Sequence, residues 1–317
     1  MSLQQIPNAE NDLVFVCGAL RSGTTLLRLM INHHPLLDNP GEMDFLFEGP
    51  DEESDGALAH YRREVSLNRV FRSTGLRIDE ALSYPDLIRS FVGQLRRPGQ
   101  RLSINIHRNF HRIPAIFPDA RYVHLLRDPR DVAKSAIGMG WAGNVFHGVD
   151  HWIFSERDFE ELSRQVRSQQ VHTLKNEDLI VDPTGALTAL CEFLGVGFDS
   201  AMLDYPAHTT YSAPDPSLTE QWRRNLSVRE IALVEGKVAP LLGPRGYAAS
   251  GGVIVAPNGF EKFRLRQDNR LGRLRFSIRR YGAALTLAEL LSRLIPISGF
   301  REAVRRRVER KTITHLK

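Results

Sequence analysis

The residues best suited to chemistry are crowded into one short stretch, Gly18-Ala-Leu-Arg-Ser-Gly-Thr-Thr25. Gly18 and Gly23 let the backbone curl, and a curled backbone turns its N–H groups toward an anion. Thr24 and Thr25 add hydroxyls, and Arg21 adds a planar, permanently charged fork that grips oxyanions two oxygens at a time. The glycine spacing matches the phosphate loop of nucleotide triphosphatases, with Thr25 at its Ser/Thr position. Thr24 stands where that motif needs lysine, and the positive charge has moved to Arg21. The stretch therefore reads as a cradle for a phosphate-like group that lacks the lysine used on β- and γ-phosphates. The plainer alternative is an ordinary strand–helix turn.

Three other places carry reactive side chains. Glu42 lies just past a turn at Pro40-Gly41, in position to serve as a base or as solvated surface. His107-Arg108-Asn-Phe-His111-Arg112 follows a strand-like run and suits anion binding, proton transfer or a basic surface turn. Arg127 precedes Asp128-Pro129, an N-cap followed by proline at the first helical position, and Ser135 lies about two turns along that helix. Arg127 either binds an anion or pairs with Asp128 or Asp131. No His/Cys ligand spacing and no carboxylate cluster points to a metal.

Elements must position these groups. Leu13–Cys17 is an apolar, β-branched run, hence a buried strand, and the apolar positions 26, 27, 30 and 31 give the following segment one helical face. Further strands are expected from Leu36 into the turn at Pro40-Gly41, at Arg101–Ile106, at Arg121–Leu126 and at Gln170–Lys175. A helix runs from Asp182-Pro183 to Gly195. Strands alternating with helices imply an α/β, three-layer, P-loop-like fold with a central, mainly parallel sheet flanked by helices. Residues 48–100 are polar and read as a helical insertion over the site, with loops such as 48–56 able to move.

The ordered motifs resemble the sulfotransferase family that uses 3′-phosphoadenosine 5′-phosphosulfate (PAPS). Leu20-Arg-Ser-Gly-Thr-Thr25 resembles its 5′-phosphosulfate loop, in the arginine form of carbohydrate and tyrosylprotein sulfotransferases. Phe117 to Ser135 resembles its 3′-phosphate motif, Lys175 to Gly195 the strand and helix that follow, and Trp222-Arg-Arg-Asn-Leu226 a late segment of bacterial members. The resemblance implies that Arg21 contacts the 5′-phosphosulfate, with Ser22, Gly23, Thr24 and Thr25 completing the cradle. It implies that Arg127 and Ser135 hold the 3′-phosphate, and that Glu42 or His107 is the base. Two departures stand out. The family's usual lysine near position 107 is absent, leaving Arg108 or His107 to replace it, and Asn176 stands where an aromatic residue is common. The implied reaction is metal-independent sulfuryl transfer from PAPS to a carbohydrate, lipid or small-metabolite hydroxyl, releasing 3′,5′-phosphoadenosine phosphate (PAP). A kinase using the same loop and a non-catalytic nucleotide-binding module are the rival readings.

Composition sets the remaining expectations. The 317 residues are 42% hydrophobic and 25% charged, a globular balance, and no apolar run reaches the roughly 18 residues of a membrane span. The polar start Met1–Asn11 lacks a signal-peptide core. The two cysteines, Cys17 and Cys191, both fall in apolar segments, as expected of buried thiols in a cytoplasmic enzyme. The net charge of +5 conceals 16 Lys/Arg against 5 Asp/Glu from Glu261 to Lys317. We therefore expect a sulfotransferase domain over 1–250 and a basic helical extension over 251–317. An apolar stripe (Leu285, Ala288, Leu291, Ile295) and a last helix bearing Phe300, Val304 and Val308 are expected in that extension. They either pack on the domain or contact an anionic membrane peripherally. The expected partner is a small-molecule, glycan or lipid acceptor, not nucleic acid.

Overall fold

The computed structural model describes residues 12–51, 54–294, 299, 303–308 and 310–311. They form two compact units, Met1–Asp128 with His151–Gln221, and Pro129–Asp150 with Trp222–Lys317.

The first unit is an α/β fold built on five parallel strands: β1 (Leu13–Cys17), β2 (Leu37–Asp38), β3 (Arg101–Ile106), β4 (Arg121–Leu126) and β5 (Val171–Lys175). Their order is β2-β3-β1-β4-β5. The apolar alternation of β1 feeds two cores. Leu13, Phe15 and Cys17 face a layer containing Phe45, Phe47, Ile88 and Phe91, while Val14 and Val16 face Leu27, Met30, Leu187 and Leu190. Each fully buried side chain of this size contributes roughly 1.5–3 kcal/mol relative to exposure. Three layers result, as the alternating pattern of strands and helices implies. The stretch read as an insertion is helical at Asp55–Leu67, Arg69–Thr74 and Tyr84–Leu95. These helices bury Tyr61, Val65, Phe71 and Phe91 in the first core.

Because β1 lies between β3 and β4, the carboxyl ends of these three strands open into one crevice, the place where open α/β sheets bind ligands. Both cysteines are free and buried. Burial, then the charges of Asp158 and Asp44, push the Cys17 thiol well up, and burial pushes Cys191 up to about 11.

The second unit is helical. Its helix Pro129–Gly138 carries Arg130, whose Nη1 lies 2.6 Å from Glu235 Oε1 and whose guanidinium stacks 3.6 Å from the Trp222 ring centre. Glu235 also accepts from Ser250 N and Oγ, both at 2.9 Å, and Asp131 Oδ1 accepts from Trp222 N at 2.7 Å. A buried ion pair is tolerated only when its remaining valences are met in this way. The long helix Gly259–Tyr281 starts with a capping box from Asn258 to Glu261. It is followed by the helix Ala283–Leu294, in which Leu285 and Ala288 are half-buried and Leu291 is exposed. Val304 is buried and Val308 half-buried, whereas Ile295 and Phe300 lie outside the described residues. Among the described residues no helix is long and apolar enough to cross a membrane.

Candidate functional site

The glycine loop leaves β1 and enters the helix Thr24–Ile31. Gly18 is required by proximity: a Cβ there would lie 2.7 Å from the Leu125 carbonyl oxygen of β4. Gly23 is required twice over, by a φ of 93° and by Asn176 Oδ1, which a Cβ would meet at 2.0 Å. Arg21 adopts φ 76° without being glycine, a conformation that costs roughly 1 kcal/mol or more. Within the loop the Ser22 hydroxyl is buried and has no hydrogen-bond partner among the described residues. An unsatisfied buried hydroxyl beside curled backbone fits a phosphate or sulfate oxygen.

Two cations frame the loop. Arg127, at the end of β4, donates from Nη1 to the Arg21 carbonyl at 3.0 Å, and its own carbonyl accepts from Trp152 Nε1 at 3.0 Å. Burial first, then the charge of Arg127, lowers the basicity of Arg21, with Tyr211 and Glu42 opposing. An anion bound here relieves that repulsion.

Glu42 is held at the crevice by amide chemistry. Asn39 exchanges hydrogen bonds with Asn32, donates from Nδ2 to Asn105 Oδ1 at 2.9 Å and accepts from Gly41 N at 2.9 Å. Asn105 on β3 in turn donates to the Thr24 carbonyl at 3.2 Å. Glu42 pairs with Asn105 as a parallel bridge beyond β2. The carboxylate is half-exposed, with Oε1 4.0 Å from His107 Nε2.

His107, buried at the end of β3, joins these pieces. Its backbone N and its Nδ1 meet the two oxygens of Asp44 at 2.7 and 3.2 Å, while Nε2 lies 3.3 Å from Thr24 Oγ1. With Asp44 on the Nδ1 side, the ring turns Nε2 toward the loop. The basic cluster 107–112 divides by role. Arg108 pairs with Glu48, and its Nε donates to Oε1 at 2.6 Å. His111 Nδ1 binds Asp158 at 2.5 Å. Arg112 donates to the carbonyls of Phe47, Gly49 and Pro50, tying down the start of the loop expected to move. A cavity of about 430 Å³ opens beside His107, lined by Leu20, Arg108, His111, Phe154 and Ser155 among others.

Arg21, Ser22, Gly23, Thr24, Thr25, Glu42, His107 and Arg127 thus all belong to the first unit, at the carboxyl ends of β1, β3 and β4 or on the segment after β2. Ser135 lies on the helix Pro129–Gly138 in the second unit. Asp44, Asn39 and Asn105 do not stand out in the sequence; the only hint is that Asp44 follows Glu42 by two positions.

The model of the sulfotransferase family matches residues 13–200, which include the loop, both base candidates and Arg127. This chain belongs to the sulfotransferase family. The sulfotransferase domain of the Synechococcus PCC 7002 olefin synthase superposes with a TM-score of 0.52 at 24% identity, covering 74% of this chain and 98% of that one. The sulfotransferase domain of the curacin biosynthetic pathway gives 0.53 at 20% identity, covering 77% and 99%. Both likenesses are likenesses of fold. In sequence, 95 residues are 33% identical to the omega-hydroxy-beta-dihydromenaquinone-9 sulfotransferase Stf3 of Mycobacterium tuberculosis (strain CDC 1551 / Oshkosh), 26% of this chain and 24% of that protein. An uncharacterized protein of Aquifex aeolicus (strain VF5) is 25% identical over 207 residues, 61% of this chain and 26% of that one. The chain spans about a quarter of the length of these curated relatives.

Proposed function

We propose that this sulfotransferase moves the sulfuryl group of PAPS to a hydroxyl of a small-molecule, glycan or lipid acceptor and releases PAP. The observation that carries the reading is the meeting of an anion cradle and a base cluster: His107 Nε2 lies 3.3 Å from Thr24 Oγ1 and 4.0 Å from Glu42 Oε1. PAPS supplies an activated sulfuryl group; its S–O bond to the phosphate breaks as a new S–O bond to the acceptor oxygen forms. The loop amides with the Ser22, Thr24 and Thr25 hydroxyls bind the 5′-phosphosulfate, and Arg21 stabilises charge gathering on the departing phosphate. Arg127 receives the 3′-phosphate, the role the resemblance also gives to Ser135. Glu42 takes the acceptor proton, with His107 the competing base. The arginine form of the loop supports the carbohydrate and tyrosylprotein branch, and the menaquinone-derived acceptor named for the mycobacterial relative supports testing lipid alcohols. Residues 1–250 carry the activity and 251–317 are an extension with another task.

Calorimetric titration with PAP and, separately, with ATP and magnesium tests the donor. PAP should bind tightly and ATP weakly, and Arg127→Ala should weaken PAP; a preference for ATP overturns the assignment. With the donor established, Glu42→Gln should cost about 10²-fold or more in turnover while PAP affinity holds. Full activity of that variant passes the role to His107.

A further inference from the structure

The long helix Gly259–Tyr281 has two unlike faces. Leu265, Asn269, Gly272 and Phe276 fasten it to its own unit. Gly143 N donates to Asn269 Oδ1 at 2.6 Å, Asn144 Nδ2 donates to the Leu265 carbonyl at 2.7 Å, and Gly272 and Phe276 press on Gly143 and Gly140. At 100° per residue, about the opposite side of the wheel holds Phe260, Phe263, Leu271, Leu274 and Ile278, with Gln267 between them, inside an arc of about 80°. These five apolar side chains are 38% to 69% exposed. Scattered exposed leucines need no explanation, but an aligned stripe five turns long does. The next helix adds exposed Leu287, Leu290 and Leu294.

Charge identifies the occupant. The long helix carries eight Lys/Arg against two acidic residues. Arg264 and Arg275 border the stripe on one side, and Arg266, Arg270 and Arg273 on the other; all are exposed. Pairing with a second copy would set two such cationic borders against each other. Anionic lipid headgroups match both borders, while the stripe reaches the acyl boundary and the arginine stems lie along it. We infer that the Phe260–Ile278 face is a docking surface for an anionic bilayer. This places the contact on a helix other than the 283–311 segments that the sequence singles out, and it stands whatever acceptor or donor the first unit uses.

The test is co-sedimentation of the full chain with vesicles of phosphatidylcholine alone and of phosphatidylcholine with about one-third phosphatidylglycerol. The protein should pellet with the anionic vesicles and stay in solution with the neutral ones. Leu271→Gln with Leu274→Gln should reduce partitioning about tenfold or more, as should Arg270→Gln with Arg273→Gln. These positions are exposed, so circular dichroism and melting should match the unmodified chain. Failure to pellet with anionic vesicles, or equal pelleting of both variants, overturns the proposal. So does a lipid-free dimer, seen by analytical ultracentrifugation, that the leucine variant dissolves.

Discussion

Burial on its own raises the Asp44 carboxyl, but hydrogen bonds from the His107 side chain and backbone, with the attraction of its ring, outweigh it and hold the group below the usual carboxylate range. A carboxyl held low in the folded state stabilises that state above its unfolded value, near 3.9. The contribution is lost as pH falls through the folded value. Asp44→Asn should therefore lower stability at pH 7, by an amount that shrinks as the solution is acidified, read from urea midpoints at pH 7 and at lower pH. Because Asp44 also fixes which His107 nitrogen faces the loop, the same variant should lose about tenfold or more in turnover. Equal midpoints at pH 7 would exclude the contribution. Arg21 offers a different contrast. Arg21→Gly removes a left-handed strain of roughly 1 kcal/mol but frees the unfolded chain by a comparable 0.5–1 kcal/mol. Its melting temperature should stay close to the original while sulfuryl transfer falls about 10²–10³-fold.

At the scale of elements, all five strands and the helix after the glycine loop are legible in the sequence. Their signal is local: short apolar, β-branched runs and a 3.6-residue period survive without knowledge of the fold. The site is only half legible. Arg21, Thr24 and His107 announce themselves by residue type and neighbours. The Asn32–Asn39–Asn105 amide network that sets Glu42 does not, because it needs β3 to lie beside the segment after β2, and only the sheet order brings them together. The same dependence separates the cluster 107–112, where partners from residues 44–51 and 158 assign each cation its task. Loop and sheet are coupled at Gly18. A methyl group there meets the Leu125 carbonyl at 2.7 Å, so Gly18→Ala should destabilise the protein by roughly 1–3 kcal/mol and weaken PAP binding as the loop shifts. An alanine variant with unchanged midpoint and affinity would show that the loop has slack.

For the whole molecule, the family match ends at residue 200, and the second unit carries most of its chain beyond it. That unit has its own buried anchor in Arg130, Glu235 and Trp222, with Ser250 donating to Glu235 from the surface. Glu235→Ala removes the carboxylate that pairs with the buried Arg130 guanidinium at 2.6 Å and should cost about 3–5 kcal/mol, measured by denaturant unfolding. If the change is mild, water reaches Arg130 more easily than its burial implies. Removing residues 259–317 would strip Leu265, Asn269 and Phe276 from Gly140–Asn144, so point changes on the exposed stripe are the cleaner probe of its role.

The seclusion of both native thiols has a practical corollary. With Cys17 inside the central strand, Cys191 inside its helix, and both poorly ionised, neither will react readily with alkylating reagents while the protein is folded. A cysteine introduced at Gln267, in the middle of the stripe, becomes the one readily labelled position in the chain. An environment-sensitive fluorophore attached there turns blue only if it leaves water, so its emission spectrum reports directly how deep the helix lies.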